Sequence, residues 1–490
     1  MPLSNSFFFI FLIIFSFSTI SSCSSIHDSH HQIILDVSAS INKARQVFFP
    51  KSSSQIEEEK SKSTATAYAS QSSVLSLSLH ARASVVKPHH RNYSVLTLDR
   101  LNRDAARVNS INSRLQLALH NFTHSDLKPV QTEFQPEDLQ SPVTSGVSQG
   151  SGEYFARFGV GQPAKEYYMV IDTGSDISWL QCQPCTDCYQ QTDPIFDPST
   201  SSSYRPLTCG SPQCSALEVK SCGRAGCLYE VSYGDGSYTI GDFATETLSF
   251  GNSGAVNSVA IGCGHDNEGL FTGSAGIIGL GGGSLSLPSQ VKASSFSYCL
   301  VNRDSSSAST LEFNSAPPSD SVVASMVKNP KIDVYFYVEL TGISVGGQKL
   351  SIPPSLFQVD GNGRGGIIVD SGTAITRLQT QAYNALRDTF AKYTTNLPSA
   401  GSFALFDTCY DLSSMSRVSV PTVAFEFSGG KTLQLKPTNY LIPVDSSGKF
   451  CLAFAPTSSA LSIIGNVQQQ GTRVSFDLAN RAIGFSPNKC

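Results

Sequence analysis

Val170-Ile171-Asp172-Thr173-Gly174-Ser175 and Ile368-Val369-Asp370-Ser371-Gly372-Thr373 carry one message twice, 198 residues apart. Each reads apolar-apolar-Asp-(Thr/Ser)-Gly-(Ser/Thr). An apolar run ending in Asp predicts a buried strand that delivers a carboxylate to a tight turn. Two such deliveries predict two carboxylates meeting at the interface of two similar lobes. A pair so placed is an acid–base device, because two adjacent carboxyls cannot easily both ionise.

The duplication extends outward from these turns. Ile277-Ile278-Gly279 closes the first half and Ile463-Ile464-Gly465 the second, each an apolar strand whose glycine admits another backbone. Glu153 to Val160 alternates at strand period and leads through Gly161-Gln162-Pro163 to a second strand, Tyr167 to Ile171. The second half repeats the pattern in Tyr335 to Leu340, Ile343 to Val345 and Gly366 to Val369, with Gln381 to Tyr393 as its helical stretch. Charged residues are 15% of the 490, against 38 glycines. The expected fold class is therefore all-β (mainly β, with few short helices).

The first 145 residues differ in character. Phe7 to Ile20 is an apolar run followed by small residues, which predicts a signal peptide over 1–24. Residues 25–145 are rich in Ser and charge and hold all but one of the nine histidines. Most of this stretch reads as flexible. Leu98, Leu101, Ala105, Val108, Ile111 and Leu115, however, predict an amphipathic helix. Arg100, Arg103, Arg107 and Arg114 decorate its other positions, as a solvated face or as a basic pro-segment laid over an acidic cleft. Charge favours the second reading. Residues 1–149 carry 13 Lys+Arg and 11 Asp+Glu, leaving 21 and 27 for the remainder. Glycosylation sequons stand at Asn92 and Asn121, both in this leader. No later segment has the length and apolarity of a membrane span, so none is expected in the mature protein. The expected location is the secretory pathway, outside the cell or in the apoplast, with the endoplasmic reticulum or vacuole as alternatives.

Thirteen cysteines fit that route. Cys23 falls at the expected cleavage site, and the remaining twelve suggest disulfides. Seven of them cluster from Cys182 to Cys227. A zinc site on Cys182, Cys185 and Cys188 is disfavoured, because no His accompanies them and the compartment oxidises thiols. Nine cysteines lie between Cys182 and Cys299 and three from Cys409 onward. Complete pairing therefore needs an odd number of bridges between the halves. Cys299–Cys490 crossing and Cys409–Cys451 within the second half satisfy this.

Composition also narrows the chemistry. After residue 150 the only histidine is His265, expected at the surface of a polar loop. A Ser–His–Asp triad, a Cys–His pair and a multi-His metal site are thereby disfavoured. Basic residues are too scattered for a nucleic-acid groove. The two carboxylates remain, and they need neither metal nor cofactor. One deprotonates a water as it attacks a carbonyl while the other supplies a proton. Val231 to Tyr238 adds a glycine-rich hairpin tip, and Tyr233 at its shoulder can fold over a bound chain. The single tryptophan, Trp179, can hold Tyr233 through its indole N–H, although core packing accounts for it equally well.

Asp172-Thr173-Gly174-Ser175-Asp176, Tyr233 in its Tyr-Gly-Asp-Gly turn, and Asp370-Ser371-Gly372-Thr373 together resemble the pepsin-like aspartic endopeptidases. The likeness covers residues from about 150 to 490. It implies a bilobal pepsin-like fold with a cleft between homologous lobes, 146–310 and 311–490, and a flap on the first. By motif match Asp172 and Asp370 would be the catalytic pair. Tyr233, Gly174, Gly234, Asp235, Gly372 and Thr373 would contact substrate. The cysteine-rich insertion (182–227), the Asp370 to Thr376 sequence and Cys490 are similar to the plant nepenthesin-type subgroup and to its "aspartic protease in guard cell" members. The chain lacks the saposin-like insert of typical vacuolar plant members, which argues against vacuolar targeting.

The resemblance implies a monomeric endopeptidase made as a zymogen, acting on polypeptides at acidic pH without cofactor. The rival readings are an inactive homologue that binds or inhibits another protein and a two-carboxylate glycosidase. The intact Asp turns and Tyr233 speak against the first. The Asp-turn duplication and the lone tryptophan speak against the second.

Overall fold

The computed structural model describes residues 31–48, 74–88, 91–120, 153–223, 226–233, 237–269 and 271–490. The expected signal peptide, Cys23, Asn121, Gly234 and Asp235 lie outside these residues. The architecture is mainly β and bilobal, with few helices.

Each half is organised around the strand that ends in its Asp. Tyr154–Val160 and Lys165–Asp172 form an antiparallel hairpin. Gly276–Gly279 lies parallel to the second of these, with Gly279 opposite Asp172. In the other half Ile367–Val369 lies parallel to Ser462–Ile464, with Val369 opposite Ile464. The duplicated sequence pattern is thus a duplicated parallel pair, buried on both faces, which is why these strands are continuous apolar runs.

A single sheet runs across both lobes. Ser295–Cys299 pairs with Ala308–Phe313 on one side and with Thr472–Asp477 on the other. The latter continues to Ala482–Pro487 and then to Val322–Val327. Beneath this sheet Phe296 stacks on Phe476 with ring centroids 4.5 Å apart, and Phe336 packs on Phe476 at 4.7 Å. One apolar core therefore spans the junction between the halves.

The described stretches of the N-terminal segment, 31–48, 74–88 and 91–120, are built into this frame, although its composition reads as flexible. Leu75–Ala81 inserts between Tyr154–Val160 and Ala308–Phe313, bonded antiparallel to both. Its sequence, Leu-Ser-Leu-Ser-Leu-His-Ala, alternates strictly, and its buried residues alternate with it. Gln32–Asp36 adds a further strand beside Arg417–Pro421 of the second half.

Tyr93–Leu119 forms a helix of 27 residues. Asn92 caps it, its exposed side-chain oxygen accepting from Ser94 N at 2.9 Å. The buried face is not quite the one its leucines suggest. Leu98 and Ala105 are exposed, and Leu101, Asp104, Val108, Ile111 and Leu115 make up the 3–4 spacing. Arg100, Arg103 and Arg107 are buried as well. His265 also departs from expectation. It sits half-buried on the strand Ala255–Glu268, 3.1 Å from Asp242.

Among the described residues, six disulfides tie these parts together. Cys182–Cys263, Cys185–Cys188, Cys209–Cys222 and Cys214–Cys227 lie in the first half, Cys409–Cys451 lies in the second, and Cys299–Cys490 joins them. The three close cysteines that a zinc site would use are thus engaged in two bridges. Among the described residues no helix is long and apolar enough to cross a membrane.

Candidate active site

The two Asp turns meet face to face between the lobes, each gripping the other. Ser371 N donates to Thr173 Oγ1 at 2.9 Å, and Thr173 N donates to Ser371 Oγ at 3.2 Å. The residue after each Asp therefore binds the opposite lobe, while the residue three positions after it binds the carboxylate. Ser175 Oγ donates to Asp172, and Thr373 donates to Asp370 Oδ2 from its amide at 2.8 Å and its hydroxyl at 2.7 Å. Gly174 N completes the Asp172 set at 3.0 Å. A side chain at the glycine of either turn would crowd the opposite carboxylate. A methyl group on Gly372 would lie 2.8 Å from Asp172 Oδ1, and one on Gly174 would lie 3.1 Å from Asp370 Oδ1.

Arg107, from the N-terminal helix, stands between the two carboxylates. Its Nη2 lies 2.5 Å from Asp172 Oδ1, and its Nε lies 3.3 Å from Asp370 Oδ2. The guanidinium is only 6% exposed. Burial works against its charge, and the two carboxylates more than offset that effect. They respond unequally. Burial pushes Asp172 above the usual carboxylate range despite the attraction of Arg107. Asp370 is also raised by burial, but Arg107 and the Thr373 hydrogen bonds outweigh this and hold it low.

The helix fills the cleft on either side of that contact. Val108, Ile111 and Leu115 pack with Val334, Tyr335, Tyr337 and Ile368 of the second lobe. Arg103 Nη2 meets Glu153 at 2.6 Å, and Arg100 Nη1 meets Asp304 at 2.8 Å. Tyr93 Oη donates to the other Asp304 oxygen at 2.6 Å. Burial raises Glu153 and Asp304, yet their arginines hold both below the usual range. Toward the helix C-terminus Arg114 reaches Glu218, a residue of the cysteine-rich insertion, at 2.9 Å. Nearby Asp176 is pushed up to about 6 by burial, with Arg114 opposing. Asp104 accepts from Ala374 N at 2.6 Å and from Ile375 N at 3.3 Å, and pairs with Arg377 at 2.5 Å. The space left beside the helix is a cavity of about 50 Å³.

Tyr233 borders that cavity together with Arg107 and Gly174. Trp179 Nε1 donates to its hydroxyl at 3.0 Å, and both rings pack edge-on against Phe271. Tyr233 N closes the hairpin onto Ser237 O at 2.8 Å. Of the residues that sequence reasoning assigned, Asp172, Gly174, Asp370, Gly372 and Thr373 lie in the two meeting turns and Tyr233 borders the cavity beside them, while Gly234 and Asp235 fall outside the described residues. Sequence reasoning missed Asp104, Glu153, Asp304, Glu218 and Arg377. One signal was available for the last: Arg377 is a lone charge in the apolar run Ala374 to Leu378.

Comparison with known proteins places this geometry in context. Family models described as "Xylanase inhibitor N-terminal" and "Xylanase inhibitor C-terminal" match residues 154–314 and 335–487. "Aspartyl protease family protein 2" of Arabidopsis thaliana is 52% identical over 400 residues, covering 80% of each chain. "Protein ASPARTIC PROTEASE IN GUARD CELL 2" of the same plant is 46% identical, covering 86% of this chain and 88% of its own. "Aspartic proteinase nepenthesin-2" of Nepenthes gracilis is 43% identical, covering 71% and 81%. In fold, the chain is similar to the crystal structure of edgp, at a TM-score of 0.58 and 21% identity, covering 70% of this chain and 92% of that one.

Proposed function

The chain belongs to the plant aspartic proteases, of the nepenthesin-type group, and is an aspartic-type endopeptidase; we propose that it is made as a zymogen whose N-terminal helix silences the Asp172–Asp370 pair until acid releases it. The observation that carries this reading is the placement of Arg107 between two carboxylates presented by interlocked turns of the two lobes.

With the helix withdrawn, an extended polypeptide lies across the cleft under the hairpin that bears Tyr233. A water between Asp172 and Asp370 loses a proton to one carboxylate as its oxygen attacks the scissile carbonyl carbon. The other carboxyl delivers its proton to the carbonyl oxygen, giving a tetrahedral diol. Collapse breaks the C–N bond as the departing nitrogen takes the pair's proton and one hydroxyl of the diol gives its proton back to the other carboxylate. No covalent enzyme intermediate forms. The donors from Gly174, Ser175 and Thr373 keep the carboxylates oriented through both steps.

Gly174, Gly372 and Thr373 stand where substrate backbone would pass, and Gly234 and Asp235 belong to the same flap sequence as Tyr233. Large apolar side chains beside the scissile bond, action at acidic pH, an apoplastic or other secretory location and a monomeric state complete the reading. The six disulfides are consistent with the secretory pathway. Sugar on Asn92 and Asn121 would leave with the pro-segment.

An inactive inhibitor-like role, in keeping with the description of the matching family models, is disfavoured because both Asp turns and their donors are present. Acidifying the purified precursor should yield a shortened chain whose new N-terminus falls between residues 120 and 153. The product should digest denatured protein and be blocked by a statine-type peptide. A precursor that acid leaves intact and inert would refute the zymogen reading.

A further inference from the structure

Asp104 has no exposed side-chain surface, and all its donors come from one short stretch of the second lobe. Ala374 N, Ile375 N and Arg377 Nη2 converge on its carboxylate. That stretch directly follows the Asp370–Thr373 turn. Arg377 also donates from Nη1 to Ile375 O at 2.9 Å. Both partners of that bond belong to the lobe, so the guanidinium keeps its aim when the helix leaves. Withdrawal strips it of its counter-charge and leaves three aligned donors facing the cleft, a geometry suited to a carboxylate.

We propose that Arg377 and the N–H groups of Ala374 and Ile375 form a specificity subsite for an Asp or Glu side chain of the substrate, filled by Asp104 in the precursor. The inference rests on the protease reading above and adds a substrate preference to it. Asp104 precedes Arg107 by three residues on the same helix face, about 4.5 Å along the axis. An extended chain advances about 3.3 Å per residue. The acidic side chain therefore belongs one to two residues from the scissile bond. One turn farther back, Leu101 joins the apolar cluster that holds Ile375, Phe406, Ile442 and Val444. The position beyond the acidic one should thus accept an apolar side chain.

The test uses the acid-activated enzyme and peptides that share one apolar scissile pair. Each position within three residues of the bond carries Asp, Asn, Glu or Gln in turn, at about pH 5, where carboxyl side chains are largely ionised. Wild type should prefer Asp or Glu at one position, within two residues of the bond, roughly tenfold or more in kcat/KM over the matching amide. In Arg377→Gln the acid-to-amide ratio at that position should fall close to one, and Arg377→Lys should keep part of it. Wild-type cleavage without an acidic preference at any position overturns the subsite and spares the protease reading, with no substitution needed. A preference that survives Arg377→Gln unchanged also overturns it. Failure to cleave any of the peptides would overturn both readings together.

Discussion

Arg107 is held by both lobes at once, and neither lobe alone offers it a full set of partners. Removing one member of a buried ion pair typically costs about 3–5 kcal/mol, because the remaining charge stays buried without compensation. Arg107→Gln leaves Asp172 and Asp370 facing an amide that carries no charge. The variant precursor should therefore open and shorten at about pH 6, where the wild-type precursor stays intact, as read by gel and N-terminal sequencing. At this scale the sequence was legible where chemistry is local. The Asp-Thr-Gly and Asp-Ser-Gly turns name their own residues, because each carboxylate takes a donor from within the three residues after it. Asp104 and Glu153 were illegible for the opposite reason. Their partners are distant in sequence, at Arg377 and at Arg100 and Arg103.

On the proposed zymogen reading, the helix Tyr93–Leu119 and its carboxylate partners act as a pH-responsive element. Glu153, Asp304 and Asp370 are held below the usual range while it is docked and lose an arginine when it leaves. Their pKa values rise on release, so release takes up protons. The docking stability these groups contribute is complete above the ordinary carboxylate range and is lost as pH falls through the depressed values. Asp104, Asp172 and Asp176 are raised by burial while the helix is docked, although each also faces an arginine. Withdrawal removes the arginines that hold Glu153, Asp304 and Asp370 low, so the expected net direction is release on acidification. Conversion of the precursor should accelerate as pH drops below about 4, followed as a time course from about pH 6 to about pH 3. A rate independent of pH would contradict this assignment. The helix itself was readable from its periodicity. Its arginines were readable as a basic face laid over an acidic cleft, but which carboxylates they meet was not, because those partners lie far away in sequence. The strand Leu75–Ala81 was readable in its alternation, but the polar composition around it masked that signal.

Across the whole molecule, the two lobes share one sheet and one core, and Cys299–Cys490 fastens the last residue of the chain to the first half. Cys490→Ser should lower stability by about 2–4 kcal/mol, seen as an earlier denaturant midpoint. The bilobal plan was legible because the duplicated pattern repeats in order. The integration of the N-terminal segment was not, because pairing between distant strands leaves no local trace.

The central claim is that Asp172 and Asp370 together perform the cleavage. It is tested most directly by the kcat/KM of acid-activated enzyme on one apolar peptide, compared with Asp172→Asn and Asp370→Asn whose pro-segments have been removed by an added protease. Loss of either carboxylate should lower the rate by at least about 10²–10⁴-fold, with thermal unfolding unchanged in form. Retention of wild-type activity by either folded variant would contradict the account.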